Sequence, residues 1–254
     1  MFYKLYCEDC LERLKRIKRN TVDIVITSPP YNLNIEYDVY SDSKPLESYI
    51  RFMSNVMYEI YRVTKAGGRI CINVPPDIGN LKDNSKVPLD VIYCNILETV
   101  GFKYRTKIVW NKNTITARTA WGSFCSPSNP NILPPFEYIL VFYKDTPKKD
   151  GDKDLIDITK EEFIPWTNGL WNIAPESAKK IGHPAPYPIE LCDRLIKLFS
   201  YKNDVVLDPF MGSGTSGVSA LKNGRNFIGI ELSEEYVKLS QKRIEEFLDK
   251  PIDK

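Results

Sequence analysis

The sequence predicts an α/β protein with a mostly parallel, doubly wound sheet. Predicted strands and helices alternate along most of the chain, as βαβ units require. Two predicted strands, at residues 24–26 and 204–207, lead directly into polar, turn-forming motifs. The 254 residues are 43% hydrophobic and 27% charged, which is enough to form the core of one large α/β domain.

The first half of the chain supplies most of the predicted strands. We expect strands at 2–6, 24–26, 69–74, 103–110 and 138–143, and helices at 11–19, 48–63 and 89–100. Gly67 and Gly68 are predicted to end the second of these helices and Gly101 the third, because glycine adopts the left-handed conformation of helix ends.

The second half begins with a stretch of different character. Residues 144–180 are rich in Lys, Asp, Pro and Trp and have weak periodicity, which predicts a small insertion or a recognition segment. After it we expect helices at 188–199, 215–222 and 234–248 and strands at 204–207 and 227–230.

Cysteine usage and hydropathy exclude several classes of protein. Of the six cysteines, Cys7 and Cys10 alone form a C-x-x-C pair, so no metal site is predicted. Glu8 and Asp9 lie between them and disfavour a redox-active thiolate. No stretch approaches the roughly 18 apolar residues of a membrane span, and the first residues show no targeting pattern. We expect reduced cysteines, no membrane association and a cytoplasmic location.

Charge is unevenly distributed although the net charge is only +2. Residues 99–136, the acid-free strip, contain no Asp or Glu. The strip carries basic and aromatic side chains together, namely Lys103, Arg105, Lys107, Lys112 and Arg118 with Trp110, Trp121 and Phe124. This pattern fits either a solvated basic surface or a surface that contacts phosphates and bases.

The strand at 24–26 ends in the sequence TSPPY. Pro29 and Pro30 cannot extend a sheet, since each lacks an N–H group. Such a segment can be an ordinary loop. At the carboxyl end of a strand in an open α/β sheet, a rigid turn also holds hydrogen-bond acceptors and an aromatic ring where ligands bind.

A glycine loop follows the strand at 204–207. Glycines 212, 214 and 217 fit G-x-G-x-x-G, and Glu231 follows at the spacing expected for a ribose contact. Asp208 would repel a pyrophosphate but suits an ammonium group, and the loop lies late in the chain. Both features favour S-adenosylmethionine over a nicotinamide dinucleotide. Gly217 is equally compatible with helix–strand packing and with ligand contact.

Together, TSPPY and DPFMGSGT resemble the catalytic and cofactor motifs of the prokaryotic DNA amino-methyltransferases. Their order resembles the beta class of that family, a circular permutation of the Rossmann-like methyltransferase fold. CEDCLERL, YEIYRVTKAGGRICINV and GHPAPYPIEL resemble further segments of the family. The resemblance covers nearly the whole chain except about 144–170, and Glu8 stands where the family often has glycine.

The resemblance implies a seven-stranded sheet in one domain, 1–254, with target-recognition segments at 111–136 and 144–180. It implies S-adenosylmethionine as cofactor, double-stranded DNA as substrate and a cognate restriction endonuclease as partner, near the nucleoid, and leaves monomer and homodimer open. The implied catalytic residues are Ser28, Pro29, Pro30 and Tyr31. The implied cofactor contacts are Asp9, Thr27, His183, Pro186, Asp208, Phe210, Gly212, Gly214, Thr215, Glu231 and Leu232. We expect DNA contacts at Lys112, Asn113, Arg118 and Asn129.

The expected chemistry is methyl transfer to an exocyclic amino group. Ser28 Oγ and the Pro29 carbonyl would accept its two hydrogens and direct the nitrogen lone pair at the methyl group. Tyr31 would stack on a base flipped out of the duplex. Serine at position 28 favours N4 of cytosine, because family members with Asp in this place are mostly adenine enzymes. His183 is expected to fix the turn before the helix at 188 rather than to act as a base.

Several alternatives stay open. An N6-adenine enzyme would use the same groups. A nicotinamide oxidoreductase would leave TSPPY without a role. Methyltransferases of RNA or of protein glutamine use related chemistry, although the glutamine enzymes carry Asn in place of Ser28. An inactive sequence-specific DNA-binding protein predicts damage to one of the two motifs, and both are intact.

Overall fold

The computed structural model describes residues 1–32, 43–79, 85–112, 122–176 and 187–249. Strands in these ranges are β1 (Tyr3–Cys7), β2 (Val22–Thr27), β3 (Thr64–Val74), β4 (Ile78–Gly79), β5 (Lys86–Val87), β6 (Lys103–Asn111), β7 (Phe136–Tyr143), β8 (Leu170–Asn172), β9 (Val205–Asp208) and β10 (Asn226–Glu231). The α-helices are α1 (Cys10–Arg16), α2 (Leu46–Val63), α3 (Leu89–Val100), α4 (Lys160–Trp166), α5 (Ile189–Phe199), α6 (Thr215–Lys222) and α7 (Glu234–Leu248). No helix among these residues is long and apolar enough to cross a membrane.

The main sheet has the strand order β1-β10-β9-β2-β3-β7-β6-β8. All neighbours in it are parallel except β7, which runs antiparallel to both β3 and β6. The predicted doubly wound, mostly parallel α/β fold is confirmed. β4 and β5 form a separate two-stranded sheet.

Helices cover both faces of the main sheet because successive strand residues point to opposite sides. Val25 and Ile70 pack on the face covered by α1, α2 and α3. Ile24 and Cys71 pack on the face covered by α5, α6 and α7. All six residues of β2 are buried, as expected for a central strand covered on both faces.

The predicted count of seven strands is wrong, since the main sheet has eight in the described part of the chain. The additional strand, β8, lies inside the predicted recognition segment 144–180 and pairs parallel with β6. Trp171 in β8 is fully buried and donates from Nε1 to the Trp166 carbonyl at 3.0 Å. Arg225, also fully buried, binds Asp157 at 2.8 Å. Buried contacts therefore tie much of this segment to the core.

The predicted end of α2 is also wrong. The helix ends at Val63, and Gly67 and Gly68 lie within β3, where the pairing register with β2 shifts. Gly67 has φ of +71°, and a Cβ there would lie 2.7 Å from the Lys148 carbonyl oxygen. These glycines allow an irregular strand and a close backbone approach. By contrast, Gly101 ends α3 in the left-handed conformation, as predicted.

Candidate active site

The carboxyl ends of β2, β9 and β10 lie side by side along the edge of the main sheet where its parallel strands end. This edge is where ligands bind in open α/β folds. A hydrogen bond of 2.8 Å from Thr27 Oγ1 to Asp208 Oδ1 joins the end of β2 to the end of β9. The Ser-Pro-Pro-Tyr turn and the glycine loop, 181 residues apart at this bond, are therefore neighbours.

A buried tyrosine holds the Ser-Pro-Pro-Tyr turn, and a second tyrosine contacts the first. Tyr49 of α2 donates its hydroxyl hydrogen to the Pro30 carbonyl at 2.8 Å. The Tyr93 hydroxyl of α3 lies 2.8 Å from that of Tyr49, and both residues are fully buried. Ser28 and Pro30 keep partial exposure, whereas Pro29 is buried. The turn is thus fixed in place while Ser28 stays accessible.

Tyr31 packs largely inside the protein, with 8% of its surface exposed. Its hydroxyl is hydrogen-bonded to Ser28 Oγ, donates to the Asn73 carbonyl at 3.0 Å and accepts from Asn73 Nδ2 at 3.0 Å. Asn73 Nδ2 also donates to Glu137 at 2.5 Å. Sequence reasoning missed Asn73 and Glu137, because nothing local indicates that β3 and β7 bring them beside the turn. Stacking of Tyr31 on a base stays a prediction.

Asp208 is fully buried, and its carboxylate accepts hydrogen bonds from neutral groups. The donors are Thr27 Oγ1 at 2.8 Å, the Phe210 N–H at 3.1 Å, Tyr187 Oη at 3.0 Å and Ser216 Oγ at 2.7 Å. Burial raises the pKa of Asp208, although these hydrogen bonds oppose the rise. Among the described residues, no lysine or arginine pairs with it. A cation bound near this carboxylate would be stabilised, since electrostatic attraction is stronger in a buried site.

The glycine loop combines left-handed backbone with close packing. Gly212 and Gly214 have φ of +48° and +74°. A Cβ on Gly214 would lie 2.8 Å from Ser240 Cβ of α7, and one on Gly217 would lie 2.6 Å from the Phe227 ring of β10. The open sides of Gly214 and Gly217 are therefore filled by protein. Thr215, the first residue of α6, is also buried, whereas Phe210 is partly buried.

Glu231 ends β10 and accepts hydrogen bonds from three backbone N–H groups, those of Gly212 at 2.9 Å, Leu232 at 2.8 Å and Ser233 at 3.0 Å. A carboxylate has about four acceptor positions. Donors among the described residues fill three of these positions, which leaves one for the ribose contact predicted from the sequence. Leu232 is 42% exposed.

Asp9 lies close by at the start of α1, after β1, which pairs with β10. The residue is exposed, and its carboxylate caps the helix by accepting from the N–H groups of Leu11 at 2.9 Å and Glu12 at 3.1 Å. It is thus held beside the end of β10, near Glu231.

The residues predicted to contact DNA are placed unevenly. Lys112 pairs with Glu137 and lies 4.9 Å above the Trp110 ring, while Asn129 is exposed. Trp110 is 3% exposed and donates to the Ile173 carbonyl, so this aromatic residue of the acid-free strip belongs to the core. Asn113, Arg118, His183 and Pro186 lie outside the described residues.

Comparison with known proteins identifies the family. The family model N6_N4_Mtase, DNA methylase, matches residues 22–242. Type II methyltransferase M.MjaVI of Methanocaldococcus jannaschii is 41% identical over 168 residues, covering 65% of this chain and 83% of that protein. M.MjaI of the same organism is 32% identical over 278 residues, covering 91% and 90%. The structure of TTHA0409 from Thermus thermophilus, complexed with S-adenosyl-L-methionine, matches with a TM-score of 0.77 and 26% identity over 98% of this chain and 97% of that one. The chain belongs to the DNA methylase family.

Proposed function

We propose that this DNA methylase transfers the methyl group of S-adenosylmethionine to the exocyclic N4 of a cytosine flipped out of duplex DNA. The observation that carries the proposal is the hydrogen bond between Thr27 and Asp208. It joins the turn that carries the acceptors for an amino group to the loop that suits the cofactor. TTHA0409, with 26% identity to this chain, was solved with S-adenosyl-L-methionine.

The residues around the glycine loop fit S-adenosylmethionine, which supplies an electrophilic methyl group when bound. Asp208 is a fully buried carboxyl group whose donors are neutral, and burial raises its pKa because no cation in the described part of the chain stabilises the charged form. A nearby ammonium or sulfonium group would stabilise that form. Glu231 keeps an acceptor position for a ribose hydroxyl, and Gly212 brings its backbone close to that carboxylate. Asp9 and Leu232 line the neighbouring strand ends and would contact the adenine end. His183 and Pro186 stay predicted contacts.

The Ser-Pro-Pro-Tyr turn orients the amino group. Ser28 Oγ and the Pro29 carbonyl each accept one N–H of the base, so the nitrogen lone pair points at the methyl carbon. The nitrogen–carbon bond forms as the carbon–sulfur bond breaks, and the sulfur keeps the bonding electron pair. The excess proton on the nitrogen leaves to water. Because Tyr49 holds the Pro30 carbonyl, little rearrangement of the turn is required.

Serine at position 28 supports cytosine as the target base. Ser28 is a neutral acceptor, and its hydrogen-bond partner is the equally neutral Tyr31 hydroxyl. We attribute the preference to the amino group of cytosine needing less polarisation than a carboxylate would supply. Methylation at N6 of adenine would use the same groups and is the alternative outcome of the test.

We also propose that segments 111–136 and 144–180 recognise the DNA sequence. A cognate restriction endonuclease would act on the same sequence. The protein would lie in the cytoplasm, associated with the nucleoid. The endonuclease is supported by the relatives being type II methyltransferases. The exposed Asn129 and the predicted readers Asn113 and Arg118 belong to the first segment.

Nucleoside mass spectrometry tests the proposal. Duplex DNA of mixed sequence is incubated with the protein and S-adenosylmethionine carrying an isotopically labelled methyl group, and the DNA is then digested. We expect labelled N4-methylcytosine, lost with Ser28→Ala and with Asp208→Ala. Ser54→Ala on α2 and Asp249→Ala at the end of α7 are matched controls that should keep activity. Label on N6 of adenine would overturn the choice of base, and the absence of label from several duplexes of mixed sequence would overturn the DNA substrate.

A further inference from the structure

We infer that a chain of hydrogen bonds through Glu137, Asn73 and Tyr31 fixes the direction of the Ser28 hydroxyl, so that Ser28 can only accept hydrogen bonds from the amino group. The inference rests on the proposed function and adds positioning residues to it. Lys112, paired with Glu137, forms the outer end of this chain. We call these five residues the serine-orienting network.

The direction follows from the single hydrogen of the Tyr31 hydroxyl. Tyr31 donates that hydrogen to the Asn73 carbonyl at 3.0 Å. The Ser28–Tyr31 contact itself fits either atom as donor, but the Asn73 carbonyl can only accept. Both contacts of the Tyr31 hydroxyl are made together only if Ser28 donates to the phenol oxygen, and this is the arrangement that we infer. With its hydrogen directed at Tyr31, the Ser28 oxygen presents lone pairs to an incoming N–H group.

Asn73 holds the Tyr31 hydroxyl through two hydrogen bonds, one to its backbone carbonyl and one from its side-chain amide. Its Nδ2 donates one hydrogen to Tyr31 Oη at 3.0 Å and the other to Glu137 Oε2 at 2.5 Å. Its Oδ1 is buried and finds no hydrogen-bond partner in the described part of the chain. An unpaired buried acceptor is unfavourable, so some other contact must impose this orientation of the amide.

Glu137 imposes this orientation of the Asn73 side-chain amide. The reverse orientation would place Asn73 Oδ1 against the Glu137 carboxylate, where two acceptors would repel each other. Glu137 has a side chain only 14% exposed, and its charge is balanced by Lys112. Lys112, a predicted DNA contact, therefore also balances the charge of Glu137 in the free protein. The catalytic end of the network, Ser28 and Tyr31, is left neutral.

The consequence for catalysis concerns orientation rather than binding. A Ser28 hydroxyl free to rotate would spend part of its time with its hydrogen facing the amino group, and such a geometry cannot hold the nitrogen for attack. Misorientation of a reacting group can reduce a rate by about 100-fold. Binding of S-adenosylmethionine at the neighbouring loop does not depend on this hydrogen.

The first test is steady-state methylation of DNA by Tyr31→Phe. We expect kcat to fall about 10- to 100-fold, with KM for S-adenosylmethionine and the thermal unfolding temperature unchanged. Tyr58→Phe is the matched control, because Tyr58 lies on α2 with 59% of its surface exposed. If Tyr31→Phe and Tyr58→Phe keep the same kcat, the inference is wrong. A rise in KM together with a loss of thermal stability would indicate a purely structural role and would also overturn it.

A double-mutant cycle tests the coupling along the network. Glu137→Ala alone should lower kcat about 10-fold, but combined with Tyr31→Phe it should add less than about 2-fold, because the link is already broken. If the two substitutions lowered kcat by independent factors, so that the double variant showed the product of both, the inference would be contradicted. A wild-type protein that methylates no DNA would overturn the proposed function and this inference together. An active wild type with unaffected variants would overturn the inference alone.

Discussion

Two buried aspartates lie at opposite ends of adjacent parallel strands, and their surroundings differ. Asp23 is 2% exposed near the start of β2, and Asp208 is fully buried at the end of β9. Asp23 accepts hydrogen bonds from Lys65 at 2.8 Å and Lys149 at 2.7 Å. The partners of Asp208 are hydroxyl groups and one backbone N–H.

The difference in partners appears in the pKa values. Burial alone would raise the pKa of Asp23, but the hydrogen bonds from Lys149 and Lys65 outweigh burial and lower it. Burial raises the pKa of Asp208, because its neutral donors compensate only partly. Asp23 is thus a paired structural charge, whereas Asp208 is a buried charge without a cation among the described residues.

This comparison shows how to separate a structural carboxylate from one at a binding site. In a buried ion pair the two charges balance each other within the protein. Lys149, for example, contacts both Asp23 and Asp204, the latter at 3.3 Å. A buried carboxylate with neutral donors remains unbalanced until a positively charged ligand arrives. The edge at which that carboxylate lies is also the edge that holds Ser28.

Asp23→Asn should produce the largest change in stability. The substitution removes the charge that Lys65 and Lys149 bind, and the loss of such a charge-assisted hydrogen bond costs about 1.5–3 kcal/mol. Binding of S-adenosylmethionine should not change. Chemical denaturation at pH 7 and calorimetric titration check the two expectations, with Asp249→Asn as the exposed control. If Asp23→Asn weakened cofactor binding without loss of stability, the division between the two edges would fail.

The pH dependence of the free energy of unfolding also distinguishes Asp23 from Asp208. The pKa of Asp23 is lowered in the folded protein, so its contribution to stability is present above the unfolded pKa, about 3.9, and is lost as pH falls through the folded pKa. The destabilisation by Asp23→Asn should therefore shrink below about pH 4. Asp208 has the opposite sign, because protonation relieves the cost of its buried charge. A destabilisation by Asp23→Asn that stayed constant down to about pH 3 would contradict the assignment.

Gly217→Ala tests which glycines of the loop serve packing. The new Cβ would lie 2.6 Å from the Phe227 ring, and overpacking of this kind costs about 1–3 kcal/mol. Cofactor affinity should stay close to that of the wild type. Thermal unfolding and calorimetric titration provide the measurements, and Gly79→Ala is the control, because a Cβ there meets nothing within 4 Å among the described residues. Loss of affinity at unchanged stability would show that Gly217 faces the ligand.

Arg118→Ala should have the smallest effect on the protein itself and act on DNA alone. We expect DNA affinity to fall about 10-fold, as for loss of one specific contact, with cofactor affinity unchanged. Arg51→Ala, on the exposed side of α2, is the matched control. Fluorescence anisotropy with labelled duplexes measures the first quantity. Equal loss of both affinities, or of neither, would count against this placement.

Much of the fold could be predicted because its signals are local. Gly101 ends α3 as expected, and α6 and α7 have the predicted bounds. β8 was missed because three residues carry no periodicity, and its burial depends on Trp171 fitting under α5 and beside α4. Gly67 was misread because a positive φ can end a helix or form an irregular strand.

The candidate site shows the same limit. The residues that lie in motifs, such as Ser28 and Asp208, could be found from the sequence. Asn73 and Tyr187 lie within segments that resemble the family, and Ser216 lies within the G-x-G-x-x-G pattern. The roles of these three residues and of Glu137 could not be found, because they depend on hydrogen bonds made across the fold. Three of these four residues lie on β3, β7 and α6, whose sequences look like ordinary elements. Only their juxtaposition gives them a function.

The most direct measurement is calorimetric titration of S-adenosylmethionine into Asp208→Asn, beside thermal unfolding of the same variant. Asparagine keeps the shape of the side chain and removes its charge. We expect stability within about 1 kcal/mol of the wild type, because the hydroxyl donors can reorient, and affinity reduced at least about 10-fold, or about 1.4 kcal/mol. Wild-type affinity in this variant would contradict the claim that the unbalanced charge of Asp208 marks the cofactor site.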